Sequence, residues 1–139
     1  MNIDSINRGI VLDHIKAGKA MEIYRYLNLD SLTCSVAIIK NVKSGVMGYK
    51  DIIKVDDRFD IDLDILGYID PDITINIIDG GKVVEKKRVS LPKKLVNVIK
   101  CKNPRCITST EPDLEQVFIL SDKDKRVYRC QYCEAQNRA

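Results

Sequence analysis

The sequence predicts an α+β protein. We expect a ferredoxin-like βαββαβ domain, in which an antiparallel sheet carries two helices on one face, followed by a small all-β domain built around four cysteines. Runs rich in β-branched residues predict the strands, and two segments between them show apolar residues at helical spacing. We place the domain boundary after Pro92, because proline interrupts strand pairing, so that residues 1–92 and 93–139 form the two domains.

The chain opens with a strand and a helix. Residues 8–15 hold many apolar side chains, which predicts a strand buried on both faces, with Ile10, Leu12 and His14 on one of them. A loop that contains Gly18 follows the strand. Apolar residues then recur at the spacing of a single helical stripe, at Ala20, Ile23, Tyr24 and Leu27.

A hairpin follows this helix. Residues 33–42 and 49–55 are dense in β-branched and apolar side chains, and the intervening Ser44 and Gly45 favour a turn. Cys34 lies on the first of these strands, where we expect it to serve as a small buried apolar residue.

A second helix and a second hairpin complete the first domain. Residues 61–69 carry apolar side chains at helical spacing, and an aspartate near their start can cap the helix. Residues 73–79 and 82–89 have the pattern of strands on either side of a tight turn at Gly80 and Gly81. The last strand is one more than the βαββαβ order requires.

Four cysteines in two close pairs mark the C-terminal region. Four residues separate Cys101 from Cys106 in the first knuckle, two separate Cys130 from Cys133 in the second, and 23 residues lie between the knuckles. Zinc prefers four thiolates in a tetrahedron, and two short hairpins supply them with little strain. Two disulfides or free buried thiols are the alternatives, but the N-terminal residues lack the apolar core of a secretion signal, which favours a reducing, cytoplasmic setting. We therefore predict one zinc ion in a closed, structural site.

Composition limits the classes of function. No apolar run approaches the roughly 20 residues that cross a bilayer, so we expect no membrane partner. The net charge of +3 is too small to indicate a nucleic-acid partner by itself. Basic residues do surround the knuckles, so a zinc-ribbon nucleic-acid-binding protein stays open as an alternative.

Catalysis is not indicated, but a ligand site is. The single histidine, His14, follows Asp13, and no nucleophile motif accompanies the pair. If His14 shares one face of the sheet with Lys54 and Lys86, the three cations would suit phosphates, with Asp13 available for a sugar hydroxyl. Charged residues also protect exposed sheet edges, and no phosphate-loop motif is present, so the residue pattern alone leaves both interpretations open.

Several motifs in the chain occur together and in order. They are RGIVLDHI at residues 8–15, MGYKDIIK at 47–54, NIID at 76–79, Lys86, SLP at 90–92, and the four-cysteine series. Together they resemble the regulatory chain of aspartate carbamoyltransferase over nearly the whole length. The resemblance implies a non-catalytic subunit in pyrimidine biosynthesis, which pairs as a regulatory dimer, binds CTP and ATP in its N-terminal domain and docks on the catalytic chain through its zinc domain.

The resemblance also assigns residues to the nucleotide site. It implies that Lys54 lies near the base and ribose, that Asp13 lies near the ribose, and that His14 and Lys86 lie near the phosphates. Positions implied to line the same pocket are Ile6, Val11, Asn76, Ile78 and Val83. The metal ligands are implied to be Cys101, Cys106, Cys130 and Cys133.

The chain departs from the family pattern at two positions. Gly81 stands where the family has an aromatic residue beside the base, so a backbone contact can persist there but side-chain packing cannot. Arg105 stands in the first knuckle in place of a neutral polar residue, at a surface that the resemblance assigns to the catalytic chain.

Overall fold

The computed structural model describes residues 6–138. The chain forms two compact units, of which the first ends at Ser90 and the second begins at Leu91. Each unit has its own antiparallel sheet. The domain boundary after Pro92 stays a prediction.

The first unit contains a five-stranded sheet. Its strands are β1 (Gly9–Lys16), β2 (Val36–Ser44), β3 (Gly48–Val55), β4 (Thr74–Asp79) and β5 (Lys82–Arg88). They lie in the order β2-β3-β1-β4-β5, and every neighbouring pair is antiparallel. The first four follow the ferredoxin-like arrangement, and β5 extends it as the hairpin partner of β4, which confirms the predicted fold class and its extra strand.

Two short helices cover one face of this sheet. α1 (Ala20–Tyr26) contacts both β3 and α2 (Leu63–Ile69). As predicted, a carboxylate caps the second helix: Asp62 accepts hydrogen bonds from the backbone N–H groups of Asp64 and Ile65. Within residues 6–138, no helix is long and apolar enough to span a membrane.

The core of the first unit lies between the sheet and the helices. Its fully buried carboxylate, Asp51, accepts hydrogen bonds from the backbone N–H groups of Gly18, Ala20 and Asn41, which fastens the start of α1 to the sheet. The surrounding side chains are almost all aliphatic: Ile10, Leu12, Ile15, Ile23, Leu29, Ile53, Val55, Leu66, Ile73 and Ile75.

A bulge in β1 corrects the predicted alternation of that strand. Leu12 pairs with Ile53 and Ile15 pairs with Asp51, so two residues of β1, Asp13 and His14, lie opposite a single position of β3. His14 takes a left-handed conformation with φ of 58°. Ile15, not His14, therefore joins Ile10 and Leu12 on the helix side, and the other face of β1 is only half-buried.

Two smaller differences follow further along the first unit. Cys34 precedes β2 instead of lying on it, and its side chain is half-buried. The predicted break after the first helix contains one short 3-10 turn, Leu29–Ser31.

The second unit is a four-stranded antiparallel sheet. Its strands, in spatial order, are β6 (Lys94–Val96), β7 (Val117–Asp122), β8 (Val127–Cys130) and β9 (Gln136–Arg138), and a four-residue helix, α3 (Ile107–Thr110), follows the first knuckle. Tyr128 is fully buried and its hydroxyl donates to the carbonyl of Pro92 at 2.7 Å. The rest of the apolar core is small, consisting of Leu95, Val117, Phe118 and Val127.

Candidate functional site

Four of the residues assigned to a nucleotide lie in one line across the sheet. Val11 pairs with Lys54 on one side and with Asn76 on the other, and Asn76 pairs with Lys86. Directly paired residues project from the same face of a sheet, and Val11 alternates with the buried Ile10 and Leu12. This line, Lys54–Val11–Asn76–Lys86, therefore lies on the open face, away from the helices. At about 4.8 Å per strand it extends over about 14 Å.

Two shorter lines flank it on the same open face. Asp13 pairs with Thr74, which pairs with Arg88. On the other side, Gly9 pairs with Ile78, which pairs with Val83. Seven of the nine sequence-assigned nucleotide residues thus occupy neighbouring positions on one surface: Val11, Asp13, Lys54, Asn76, Ile78, Val83 and Lys86.

His14 and Ile6 lie at opposite ends of this surface. The bulge directs His14 towards Thr74, and its Nδ1 lies 3.1 Å from Thr74 Oγ1. Both residues line a cavity of about 340 Å³ whose other walls are Val46, Met47, Asp72 and Arg88. Ile6 is buried beside Gly9, close to the end where Ile78 and Val83 lie.

Asp13 is held in place by an ion pair that the sequence did not indicate. Lys50 Nζ lies 3.0 Å from Asp13 Oδ1, and the His14 backbone N–H donates to the same oxygen at 2.6 Å. Partial burial raises the pKa of Asp13, but the hydrogen bond and positive charge of Lys50 and the His14 N–H outweigh it, so the pKa lies below its ordinary value. Asp13 is therefore ionised at neutral pH and fixed for hydrogen bonding.

Asn76 supplies a buried polar atom with unused bonding capacity. Among residues 6–138, no group donates a hydrogen bond to its Oδ1, although that atom is buried. Asn76 lies between Val11 and Lys86 in the central line. A ligand that carries an amino or hydroxyl donor would satisfy this oxygen.

Two basic residues of this surface were missed by the sequence reasoning. Lys50 lies four positions before the assigned Lys54 on β3, and Arg88 lies two positions after the assigned Lys86 on β5. Alternate residues of a strand share a face, so this spacing was a signal that could have identified both. At the turn, the N–H of Gly81 donates to the carbonyl of Asn7 at 2.9 Å, so this N–H already has an internal partner. The backbone contact between Gly81 and the base stays a prediction.

The second unit brings all four predicted metal ligands together. The sulfur atoms of Cys101, Cys106, Cys130 and Cys133 lie within 4.8 Å of one another. Two contacts cross between the knuckles, at 3.6 Å for the sulfurs of Cys101 and Cys133 and 3.7 Å for those of Cys106 and Cys130. A tetrahedron with metal–sulfur bonds of about 2.3 Å has edges of about 3.8 Å, whereas a disulfide bond is about 2.05 Å long. The spacing fits a metal ion and excludes the disulfide alternative.

Hydrogen bonds to the sulfurs shape the charge of this cluster. Burial raises the pKa of Cys101 to about 12 and also raises the pKa of Cys130. The Ala135 N–H and the Asn103 side chain lower the pKa of Cys133 to about 6, and the Thr108 hydroxyl and N–H lower the pKa of Cys106. Deprotonating all four thiols in one small buried volume requires a cation among them.

Comparison with known proteins gives the same assignment to both units. Residues 1–90 match the family model described as aspartate carbamoyltransferase regulatory chain, allosteric domain, and residues 93–138 match the metal binding domain of that chain. The chain belongs to the aspartate carbamoyltransferase regulatory chain family. It is a regulatory, non-catalytic chain of pyrimidine biosynthesis with an allosteric and a metal-binding domain.

Similar relatives are regulatory chains of this family. The aspartate carbamoyltransferase regulatory chain of Clostridium tetani is 53% identical over 135 residues, which cover 96% of this chain and 94% of the relative. That of Clostridium botulinum is 48% identical over 134 residues, covering 96% and 92%. That of Bifidobacterium longum is 44% identical over 134 residues, covering 96% of each chain. Membership of this family implies a catalytic chain as partner.

Proposed function

We propose that this chain binds CTP and ATP on the open face of its first sheet and thereby modulates the aspartate carbamoyltransferase catalytic chains. The observation that carries the proposal is the line Lys54–Val11–Asn76–Lys86 with Asp13, Thr74 and Arg88 beside it. Cations at both ends, a fixed carboxylate and an amide oxygen that accepts no hydrogen bond from residues 6–138 are the groups that a nucleoside triphosphate uses.

Each part of the nucleotide has a proposed place. Lys54 contacts the base and ribose, and Asp13 accepts from a ribose hydroxyl. His14 and Lys86 bind the phosphates, and Arg88, which lines the cavity beside His14, strengthens the same cationic end. The residues that line the pocket are Ile6, Val11, Asn76, Ile78 and Val83.

For the second unit we propose a single structural zinc ion. Cys101, Cys106, Cys130 and Cys133 would hold it, and four thiolates leave no open position for water or substrate. We propose residues 1–92 as the nucleotide-binding domain and residues 93–139 as the zinc domain that docks on the catalytic chain. When bound, the zinc stabilises the docking surface and takes no part in a reaction.

The proposed mechanism is a shift between two states of a mixed oligomer. A nucleotide that binds one state better shifts the equilibrium towards it, with a coupling free energy typically of about 1–3 kcal/mol. Regulatory chains would pair as dimers by extending the sheet from one edge strand, and the complex would reside in the cytoplasm. Neither nucleic acid nor a membrane is a proposed partner.

Calorimetric titration of CTP and ATP into the purified full chain tests the site. Lys86→Ala removes a phosphate contact, and we expect roughly tenfold weaker binding of CTP. Lys87→Ala is the matched control, because Lys87 is the next residue of β5 and pairs with the buried Ile75, so that it lies on the helix side. Equal CTP affinity for wild type and Lys86→Ala would overturn the site assignment.

Regulation is tested by mixing the chain with catalytic chains and measuring aspartate saturation with and without each nucleotide. We expect CTP or ATP to change the saturation curve only when the regulatory chain is present. A curve that neither nucleotide changes, from an assembled complex, would contradict the regulatory role. Salt-dependent binding of the chain to a nucleic acid would instead favour a zinc-ribbon nucleic-acid binder.

A further inference from the structure

One buried hydroxyl lies against the metal cluster. Thr108, in α3, is 5% exposed, and its Oγ1 donates a hydrogen bond to Cys106 Sγ at 3.2 Å. The hydroxyl of Thr110, in the same short helix, instead donates to the backbone carbonyl of Ile107 at 3.1 Å, which is a common partner for a threonine hydroxyl in a helix. The Thr108 hydroxyl is thus directed to a sulfur ligand.

The other sulfurs are supported mainly by the backbone. Cys101 receives the N–H of Asn103, and Cys130 receives the N–H groups of Tyr132 and Cys133. The sulfur of Cys133 accepts hydrogen bonds from the N–H of Ala135 and from the side chain of Asn103. The Oδ1 of Asn103 in turn accepts a hydrogen bond from the backbone N–H of Arg105. The Thr108 hydroxyl is therefore a donor that a substitution can remove with little change to the knuckle backbone.

We propose that Thr108 is a positioning residue of the metal site, whose hydroxyl donates to the metal-bound Cys106 thiolate and slows loss of the metal. Four thiolates around a divalent cation leave an excess of negative charge. A hydrogen bond withdraws charge from one sulfur, holds its side chain in the ligating orientation and makes that thiolate less reactive towards competing electrophiles. The proposal rests on zinc binding by the four cysteines, as proposed above.

Zinc transfer to a chromophoric chelator tests this role. The zinc-loaded full chain is mixed with excess 4-(2-pyridylazo)resorcinol, and the rate and midpoint of zinc transfer are followed. Removal of such an outer hydrogen bond typically costs about 10- to 100-fold in metal affinity. We therefore expect the zinc affinity of Thr108→Val to be at least about tenfold lower, so that the chelator removes its zinc faster and at a lower midpoint concentration. Thr108→Ser, which keeps the hydroxyl, and Thr110→Val, which removes a hydroxyl directed elsewhere, should behave as wild type.

A cobalt-substituted chain provides a spectroscopic readout that a merely structural role would not change. Loss of a hydrogen bond to one thiolate raises the energy of its donor electrons, so the sulfur-to-cobalt charge-transfer band of Thr108→Val should move to lower energy. Thr108→Ala serves if the valine variant does not fold, with the same expected shift. An unshifted band together with wild-type zinc release would overturn the proposal.

Different results would contradict the zinc assignment and the role of Thr108. A wild-type chain that retains no zinc would contradict the zinc assignment itself. A wild-type chain that holds one zinc ion, with Thr108→Val indistinguishable from it in both measurements, would contradict only the role of Thr108.

Discussion

The two units of this chain use different physical means to stay folded. The first places two helices on one face of a five-stranded sheet and buries many aliphatic side chains, such as Leu12, Ile53 and Leu66. The second has few apolar core residues, and its four cysteines lie together beside them. A segment this small rarely buries enough surface to be stable alone. The difference in core size indicates that burial stabilises the first unit. On the proposal above, the second unit depends on metal binding.

The two units also differ in how they present polar groups. In the first, the candidate ligand residues lie on the open face of the sheet, where a nucleotide could enter and leave. In the second, Cys101, Cys106 and Cys130 are buried and only Cys133 is partly accessible. An exchangeable effector suits the first arrangement, and a permanently held ion suits the second.

Removing a metal ligand should give the largest effect and separate the two units most clearly. Cys130→Ser should unfold the second unit, because metal binding contributes about 10–16 kcal/mol to structural zinc sites. Hydrogen exchange should show lost protection in residues 91–138 and retained protection in residues 6–90. Cys34→Ser is the control and should keep both the metal and the protection pattern. Unchanged protection of the second unit in Cys130→Ser would show that its own core suffices.

A substitution at Gly9 should destabilise only the first unit. A methyl group there would collide with the carbonyl oxygen of Val55, and we expect a loss of about 3 kcal/mol of unfolding free energy. Gly45→Ala is the control, because apart from its chain neighbours no atom of residues 6–138 lies within 4 Å of the added methyl group. Denaturant unfolding measures both variants. Metal content should be normal in each, and loss of metal from Gly9→Ala would contradict independent stabilisation.

The smallest expected effect concerns the Lys50–Asp13 ion pair. Asp13→Asn should cost about 1 kcal/mol at neutral pH, since the pair is only partly buried. The pKa of Asp13 is lowered in the folded chain, so its contribution is present above the ordinary carboxyl pKa and is lost as pH falls through the lowered value. The unfolding free energies of wild type and variant in urea should therefore differ by a constant amount from pH 7 down to the ordinary carboxyl pKa of about 3.8 and converge below it. A difference that persists at low pH would contradict this account.

The sequence predicted those features that depend on local patterns. β-branched runs indicated the strands, Gly80 and Gly81 the hairpin turn, and cysteine spacing the metal ligands. The bulge at His14 was not predictable in this way, because it depends on the register between β1 and β3, which no local pattern encodes. The predicted alternation of β1 was wrong for the same reason.

Prediction of the site residues was limited in the same way. The assigned residues came from a resemblance, and strand register explains why residues far apart in the chain share one surface. The Lys50–Asp13 ion pair and the contact from Thr108 to Cys106 arise from side-chain packing, which spacing does not reveal. β9 (Gln136–Arg138) is short and polar, so it lacked any hydrophobic pattern to indicate a strand.

On the proposed function, nucleotide binding requires only the open face of the first unit and does not depend on the metal. CTP titration of the full chain before and after metal removal by a chelator measures this independence. We expect CTP affinity to stay within about twofold while the second unit loses its hydrogen-exchange protection. Loss of CTP binding together with the metal would contradict it.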